Sequence, residues 1–443
     1  MPESGPNFNG LNTIKGDRSY RPGWLIFAPF LGQPPALARR QWTVVGLTAL
    51  IVIFIQYDLG LFSLALKQIQ AELSIPEGRI GELIALVRLG ALPAFFFTLL
   101  ADHFGRSRVM ILTILTSTIL TGATAFAPDA RTFIALQFLV QIFAVAGSLL
   151  AFVMIAEELD PEVRGWGIGA LAALGACGYG LALALFAFVD VLPMGWRSLF
   201  LVGLAPLVLI RWLSRNMPES KRFELFHKTR TPTGVFRSLL QPLNNLLRMY
   251  PGRFIALGTV ILLVNFAISS PSFFGPKYLQ EAHGWAPWHV SVLGYFGGFI
   301  GIFGSAFAGR LSDRLGRKRV AVFFLSAHPL FIIAFYLTFG WFLPPLWIIM
   351  VFTGIAAGVV LGTFGNELFP TSYRSTSSGA GMVLGAVGGA LGLAAESFLY
   401  KLVGSHWISI SLISVTALVT PFIIAAFFPE TSKQSLEDIA PER

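Results

Sequence analysis

Two ionisable side chains stand where a lipid-spanning segment tolerates them least. The stretch "FIQYDLGLFS" (54–63) sets Asp58 in a run that is otherwise uncharged from Trp42 to Leu66, and Arg88 lies within a second apolar run over 80–101. A charge at the bilayer centre costs about 2.5–3.5 kcal/mol on insertion scales, so each calls for a partner or a task. Asp58 lies 16 residues past Trp42, roughly 24 Å along a helix. Arg88 lies 14 residues before Asp102, roughly 21 Å from the same side. The matching depths lead us to expect a direct or water-bridged ion pair in at least one conformation. A carboxylate that can exchange an arginine for a proton is a proton carrier, since pairing favours its ionised form and separation in a dry site disfavours it. Three readings stay open: proton coupling through Asp58 and Arg88, a static ion pair that fixes packing, and an Asp58 that faces a wet cavity without coupling.

Other polar residues are candidates to line a central substrate cavity. Gln56 and Tyr57 flank Asp58, Gln137 and Gln141 share one helical face at i, i+4, and Asn265 and Glu396 sit in later apolar runs. Each alone is equally a helix–helix hydrogen bond. A cavity holding Arg88 and neutral amides suits a small carboxylate or a polyol, and nothing in the spacing chooses between them. Chemistry of other kinds lacks its residues. There is no GxxxxGK[ST] loop, no HExxH, no His/Cys cluster and no GxSxG stretch. We expect no enzyme activity, no cofactor and no metal.

The elements that must position these residues are membrane helices. The chain has 443 residues, of which 55% are hydrophobic and 12% charged. A soluble domain carries about 25% charged residues, so too little polar surface remains to coat one. Apolar runs of spanning length fall at 42–66, 80–101, 109–127, 133–156, 166–189 and 196–213, and again at 254–276, 288–309, 320–340, 344–365, 376–400 and 406–428. An even number puts both termini on one side. Assigning that side to the cytoplasm leaves only Lys67, Arg79, Arg131, Arg197, Lys277 and Lys401 outside and Arg88 within a span, out of 32 Lys and Arg. This positive-inside bias accounts for the net charge of +9 without a nucleic-acid partner. The expected division is a cytoplasmic tail (1–41, with no signal-peptide core), a six-helix half (42–214), a cytoplasmic linker (215–253), a second half (254–428) and a short tail (429–443). In the seventh run, "SSPSFFGP" (269–276) is expected to break the helix at its outer end. The glycines of 165–180, 297–304 and 379–392 give small faces for close helix packing.

The halves repeat one another. "LADHFGRSR" (100–108) answers to "LSDRLGRKR" (311–319), "EELDPEVRG" (157–165) to "NELFPTSYRS" (366–375), and "PESKRFE" (218–224) to "PETSKQS" (429–435), at offsets of 210 or 211 positions. Parallel halves with a site between them are a transporter architecture. Asp102, Arg106, Glu157 and Arg164, with their counterparts Asp313, Arg317, Glu367 and Arg374, offer both charges at the same loops, whereas topology alone requires only the basic ones.

In these motifs the chain resembles the major facilitator superfamily over essentially its whole length. "GRLSDRLGRK" (309–318) matches that family's loop signature in full, while "TLLADHFGRS" (98–107) departs from it at Thr98, His103 and Ser107. The "PES" and "PET" ends and "QYDLG" look like its sugar-porter, organic-ion and metabolite–proton symporter branches. The resemblance implies an all-α fold of twelve spans in two parallel halves, in a cell (plasma or inner) membrane, moving a small-molecule substrate by alternating access. It also implies that the eight loop residues form a cytoplasmic gating network that latches the halves together when the site faces outward. In the sugar-porter branch the span-1 Asp pairs with an Arg in span 4; the position twenty before Glu157 is Gln137, so either Arg88 is the replacement partner or Arg88 serves the substrate instead. We expect a proton-coupled symporter of a small polar organic solute (organic acid or sugar-like), working as a monomer in the lipid bilayer. The alternatives are an uncoupled facilitator or exporter, and a transporter-like solute receptor.

Overall fold

The computed structural model of the chain describes residues 21–220, 223, 235–432 and 434. The first 20 residues, 221–222 and 224–234 of the expected linker, and 433 and 435–443 of the expected tail lie outside them. Twelve helices are long and apolar enough to cross a membrane: Arg39–Leu64, Glu77–Phe104, Arg106–Thr124, Ala130–Glu158, Pro161–Phe186 and Trp196–Asn216 (spans 1–6), then Pro251–Glu281, Pro287–Leu315, Arg317–Leu337, Gly340–Gly365, Thr376–Val403 and His406–Phe427 (spans 7–12). Each falls on one of the runs expected from hydropathy. The described residues before span 1, after span 12 and between spans 6 and 7 share one face, the terminal face; the loops after spans 1, 3, 5, 7, 9 and 11 form the far face.

Local chemistry fixes where these helices begin and bend. Asp129 caps span 4, accepting from the backbone N–H of Arg131 (2.8 Å) and Thr132 (2.9 Å), and the bonds from Thr132 and Arg131 hold its carboxyl below the usual range. Span 2 turns at Gly90–Pro93 and span 6 at Gly203–Ala205 before Pro206, where the helical ladder lacks donors. Span 7 differs from expectation: it runs unbroken from Pro251 to Glu281 with Pro271 and Pro276 inside. Neighbouring side chains bond to carbonyls around the prolines, and Ser63 fills the gap that Pro276 leaves at Ser272. Tyr336 donates to the Pro271 carbonyl (2.6 Å), and Ser63 donates to those of Ser272 (3.4 Å) and Phe273 (3.0 Å).

Span 1 packs along span 5 and span 7 along span 11, and small residues set both distances. A Cβ on Gly178 would lie 1.9 Å from the Ile53 carbonyl, and one on Gly392 1.9 Å from that of Phe266. The buried core divides by depth. Near the far face one cluster draws on both halves, joining Phe62, Phe133 and Trp196 to Phe274 and Tyr278. Toward the terminal face each half keeps its own, around Trp42, Met154 and Leu213 in the first and Phe324, Phe364 and Phe428 in the second. Residues 21–38, expected as tail, pack here: Trp24 lies edge-on to Trp42 (5.8 Å), which meets Trp166 (5.7 Å). Within the expected linker, helix Val235–Met249 buries Leu246 against the second half.

Candidate functional site

Between the halves lies a cavity of about 510 Å³. Arg88 and Gln141 line it from the first half and Asn265, Ser377 and Ser378 from the second. It extends from Arg88 to Gly365 and Ser378, close to the terminal-face ends of spans 10 and 11. Among the described residues, the hydrogen bonds and ion pairs that cross between halves sit beyond it, toward the far face. They include Ser63 to Phe273, Gln68 to Gln280 (2.7 Å), Lys277 to Glu77 (2.9 Å), His406 with Glu77, and Lys401 with Glu82. The cavity is closed on the far side.

Arg88 ends the first segment of span 2, just before the turn at Gly90. It makes no hydrogen bond or ion pair with a described residue, and its Nε is buried. Glycine makes room for it: a Cβ on Gly389 of span 11 would lie 2.4 Å from Arg88 Nε and 2.5 Å from Ser269 Oγ. Ser269 Oγ is also buried without a partner. A cation held in a mostly apolar cavity without a counter-charge is costly unless an anion joins it. The sequence reading took Ser269 only as part of a proline-rich stretch and Gly389 only as part of a small packing face, since neither residue type marks a site by itself.

Asp58 is placed elsewhere. It is 4% exposed, its Oδ2 accepts from Thr121 of span 3 (2.9 Å), and its Oδ1 has no partner. It faces the turn of span 6, where a Cβ on Gly203 would come within 3.0 Å of Oδ1. The expected Asp58–Arg88 pair is therefore absent in this conformation. Depth matches, but the two side chains leave their helices on different sides: Asp58 into the first half, Arg88 toward span 11.

The candidate cavity residues also divide. Gln141 and Asn265 line the cavity. Tyr57 does not: it is buried, with its hydroxyl donating to the Leu199 carbonyl (2.7 Å). Gln137 lies one turn nearer the far face than Gln141 and donates to Thr124 (3.3 Å) under cover of span 3. Gln56 is half-buried against span 5 near Gly175, outside the cavity lining. Glu396 is fully buried at the far face beside His406.

At the terminal face the repeated loop residues form two matching networks, each within one half. Arg106 pairs with Asp102 (2.7 Å) and Glu157 (3.1 Å); Arg317 pairs with Asp313 and with Glu367 (3.2 Å). The expected latch between halves is not made in this conformation, because each arginine finds both carboxylates on its own side. Arg164 and Arg374 join neither network, and Arg374 Nε is buried without a hydrogen-bond partner. Two further members are Glu219 and Glu430. Glu219 Oε1 accepts from the N–H of Arg106 (2.8 Å) and Ser107 (3.1 Å), and Glu430 accepts from those of Arg317 (2.7 Å) and Lys318 (3.2 Å). Each neutralises a helix start. A Cβ on Gly105 or Gly316, at φ of +103° and +101°, would lie about where the carboxylate sits, 2.4 and 2.5 Å from its oxygen. The signal was present in the "PES"/"PET" repeat.

Twelve spans in two like-oriented halves around a partly polar cavity define a membrane transporter. A family model described as the Major Facilitator Superfamily matches residues 48–393, and the chain belongs to that superfamily. It is a multi-pass inner-membrane protein and not an enzyme. It is 26% identical over 435 residues to a putative niacin/nicotinamide transporter of Bacillus subtilis, covering 92% of this chain and 100% of that one. To a cis,cis-muconate transport protein of Acinetobacter baylyi it is 26% identical, with 83% and 90% covered. Among solved structures, the xylose transporter of E. coli superposes with a TM-score of 0.73 at 15% identity, covering 90% of this chain and 99% of that one.

Proposed function

We propose that the chain is a proton-coupled symporter of small organic acids, importing them by alternating access with Arg88 holding the carboxylate. The observation that carries this reading is the guanidinium of Arg88, which faces a cavity between the halves with no anionic partner. Gln141, Asn265 and Ser269 stand near it as neutral hydrogen-bonding groups. The apolar remainder of the lining, with Leu257, Ile261, Leu361 and Met382, suits a compact hydrocarbon body rather than a many-hydroxyl sugar. Relatives named for cis,cis-muconate, sialic acid and benzoate also support a carboxylate. With the terminal face taken as cytoplasmic, this conformation presents the cavity inward. Asp58, buried with one oxygen unpartnered, is the candidate proton carrier within the first half.

Uptake by proteoliposomes tests this. A panel of benzoate, nicotinate, cis,cis-muconate, sialic acid and xylose is offered with and without an inward proton gradient. The reading expects one of the acids to accumulate, to do so only with the gradient, and to be lost in Arg88→Gln. Uptake of xylose in preference to every acid refutes it.

A further inference from the structure

The far-face closure contains ionisable side chains that the cavity does not use. Lys277 is fully buried, with its Nζ donating to Gln70 Oε1 (2.5 Å) and Glu77 Oε2 (2.9 Å) and paired with Glu281 (2.9 Å). His406, at the start of span 12, stacks on Tyr400 with ring centres 4.1 Å apart. Its Nδ1 stands 2.5 Å from Glu396 Oε1 and its Nε2 2.8 Å from Glu77 Oε2. Glu396 is fully buried and its Oε2 has no hydrogen-bond partner. Tyr278 and Tyr336 close the group from spans 7 and 9 through Trp407, and the Glu82–Lys401 pair joins the same spans 2 and 11 across the halves.

The geometry fixes a count of protons. A neutral imidazole carries one N–H and an ionised carboxylate none. Two nitrogen–oxygen contacts of hydrogen-bond length need two protons, and a neutral His406 between two carboxylates supplies one. The second sits either on the ring, making an imidazolium, or on Glu396, whose carboxyl then donates to Nδ1. Without it a lone pair would face a carboxylate oxygen at bonding distance. When Glu396 carries it, the partnerless Oε2 belongs to a neutral acid, far cheaper to bury bare than a charge. With Lys277 the carboxylates of Glu77, Glu281 and Glu396 otherwise leave two net negative charges in a cluster whose inner members, Lys277, Glu396 and His406, are buried while Glu77 and Glu281 reach solvent, and the proton leaves one.

Glu77 belongs to the first half; His406 and Glu396 belong to the second. We propose that Glu77, Glu396 and His406 form a proton-binding site, separate from Asp58, that takes up one proton as the far face closes. The site does not depend on which solute the cavity holds. The closed state binds one more proton than the open one, so closure is favoured as pH falls, by about tenfold per pH unit where the open state is deprotonated.

Spin labels at Val191 and Trp341, exposed on the far face of opposite halves, test this after Cys177→Ser removes the native thiol. Distances are read from about pH 5 to pH 9, bracketing the usual histidine range. The expected result is a short-distance population that gives way to a longer one as pH rises. His406→Gln and Glu396→Gln should each flatten that response, and Asp58→Asn should keep it. A variant that does not purify folded is replaced by Glu77→Gln. A wild-type distribution that ignores pH overturns the proposal, as does an unchanged response in the gate variants. Loss of the response in Asp58→Asn alone assigns it to Asp58 and also overturns the proposal. None of these readouts requires uptake, so they stand apart from the organic-acid reading.

Discussion

Asp58 and Arg88 face different surroundings in this conformation, and under the proposed function their substitutions should separate too. Asp58→Asn keeps the size of the side chain and a hydrogen bond with Thr121 but cannot take up a proton. It is expected to abolish accumulation driven by a proton gradient while leaving exchange between equal solute pools, which needs no net protonation cycle. Concentrative uptake at the normal rate in that variant would make Asp58 structural. The sequence singled out both residues, because a charge in an apolar run is visible without any neighbour. It could not show whom they face. Spacing along a helix gives depth, but direction depends on which helix lies on that side, and the partners Thr121, Gly203 and Gly389 are 63 to 301 positions away. Glu396 was misplaced for the same reason: its partners His406 and Glu77 lie at the far-face ends of other spans.

At the scale of elements the hydrophobic runs defined all twelve spans, because length and apolarity are local properties. The proline-rich stretch of span 7 misled, since the donor that satisfies the carbonyl freed by Pro276 comes from Ser63 on another span. The repeat has a physical use that the loops alone did not reveal: Glu219 and Glu430 each cap a helix start. Glu430→Gln should weaken that cap by about 0.3–1 kcal/mol. Faster backbone hydrogen exchange at the N-terminus of span 9 is the expected sign, and unchanged exchange there would show that the charge does not matter. Helix contact makes a sharper demand. Gly392→Ala must push spans 7 and 11 apart at the Phe266 carbonyl, whereas Gly169→Ala meets nothing within 4 Å. The first should lower the melting temperature in detergent and the second should not; equal melting would mean the packing is looser than described.

For the whole molecule, the distribution of contacts matters more than any one of them. The halves share a core and a set of bonds near the far face and keep separate cores near the terminal face. Lys277 is central to that closure, since it joins Glu77 of the first half to Glu281 of the second. Removing its charge leaves carboxylates facing each other across the seam, a repulsion that favours separation. With Cys177→Ser and Ser63→Cys as background, Lys277→Gln should raise the labelling of the introduced thiol by an impermeant reagent applied from the far side. Labelling as slow as in the parent would show that apolar contacts alone hold the far face shut.

The central claim is that the cavity recognises an organic anion through Arg88. Calorimetric titration of the purified protein with the acid its uptake selects, set beside the neutral amide of that acid, tests this most directly. A charge-assisted hydrogen bond contributes about 1.5–3 kcal/mol, so binding of the acid should weaken by about 10- to 100-fold in Arg88→Gln, while the amide binds weakly to both proteins. Equal affinity of parent and variant for the acid, or tighter binding of the amide than of the acid by the parent, would contradict the account.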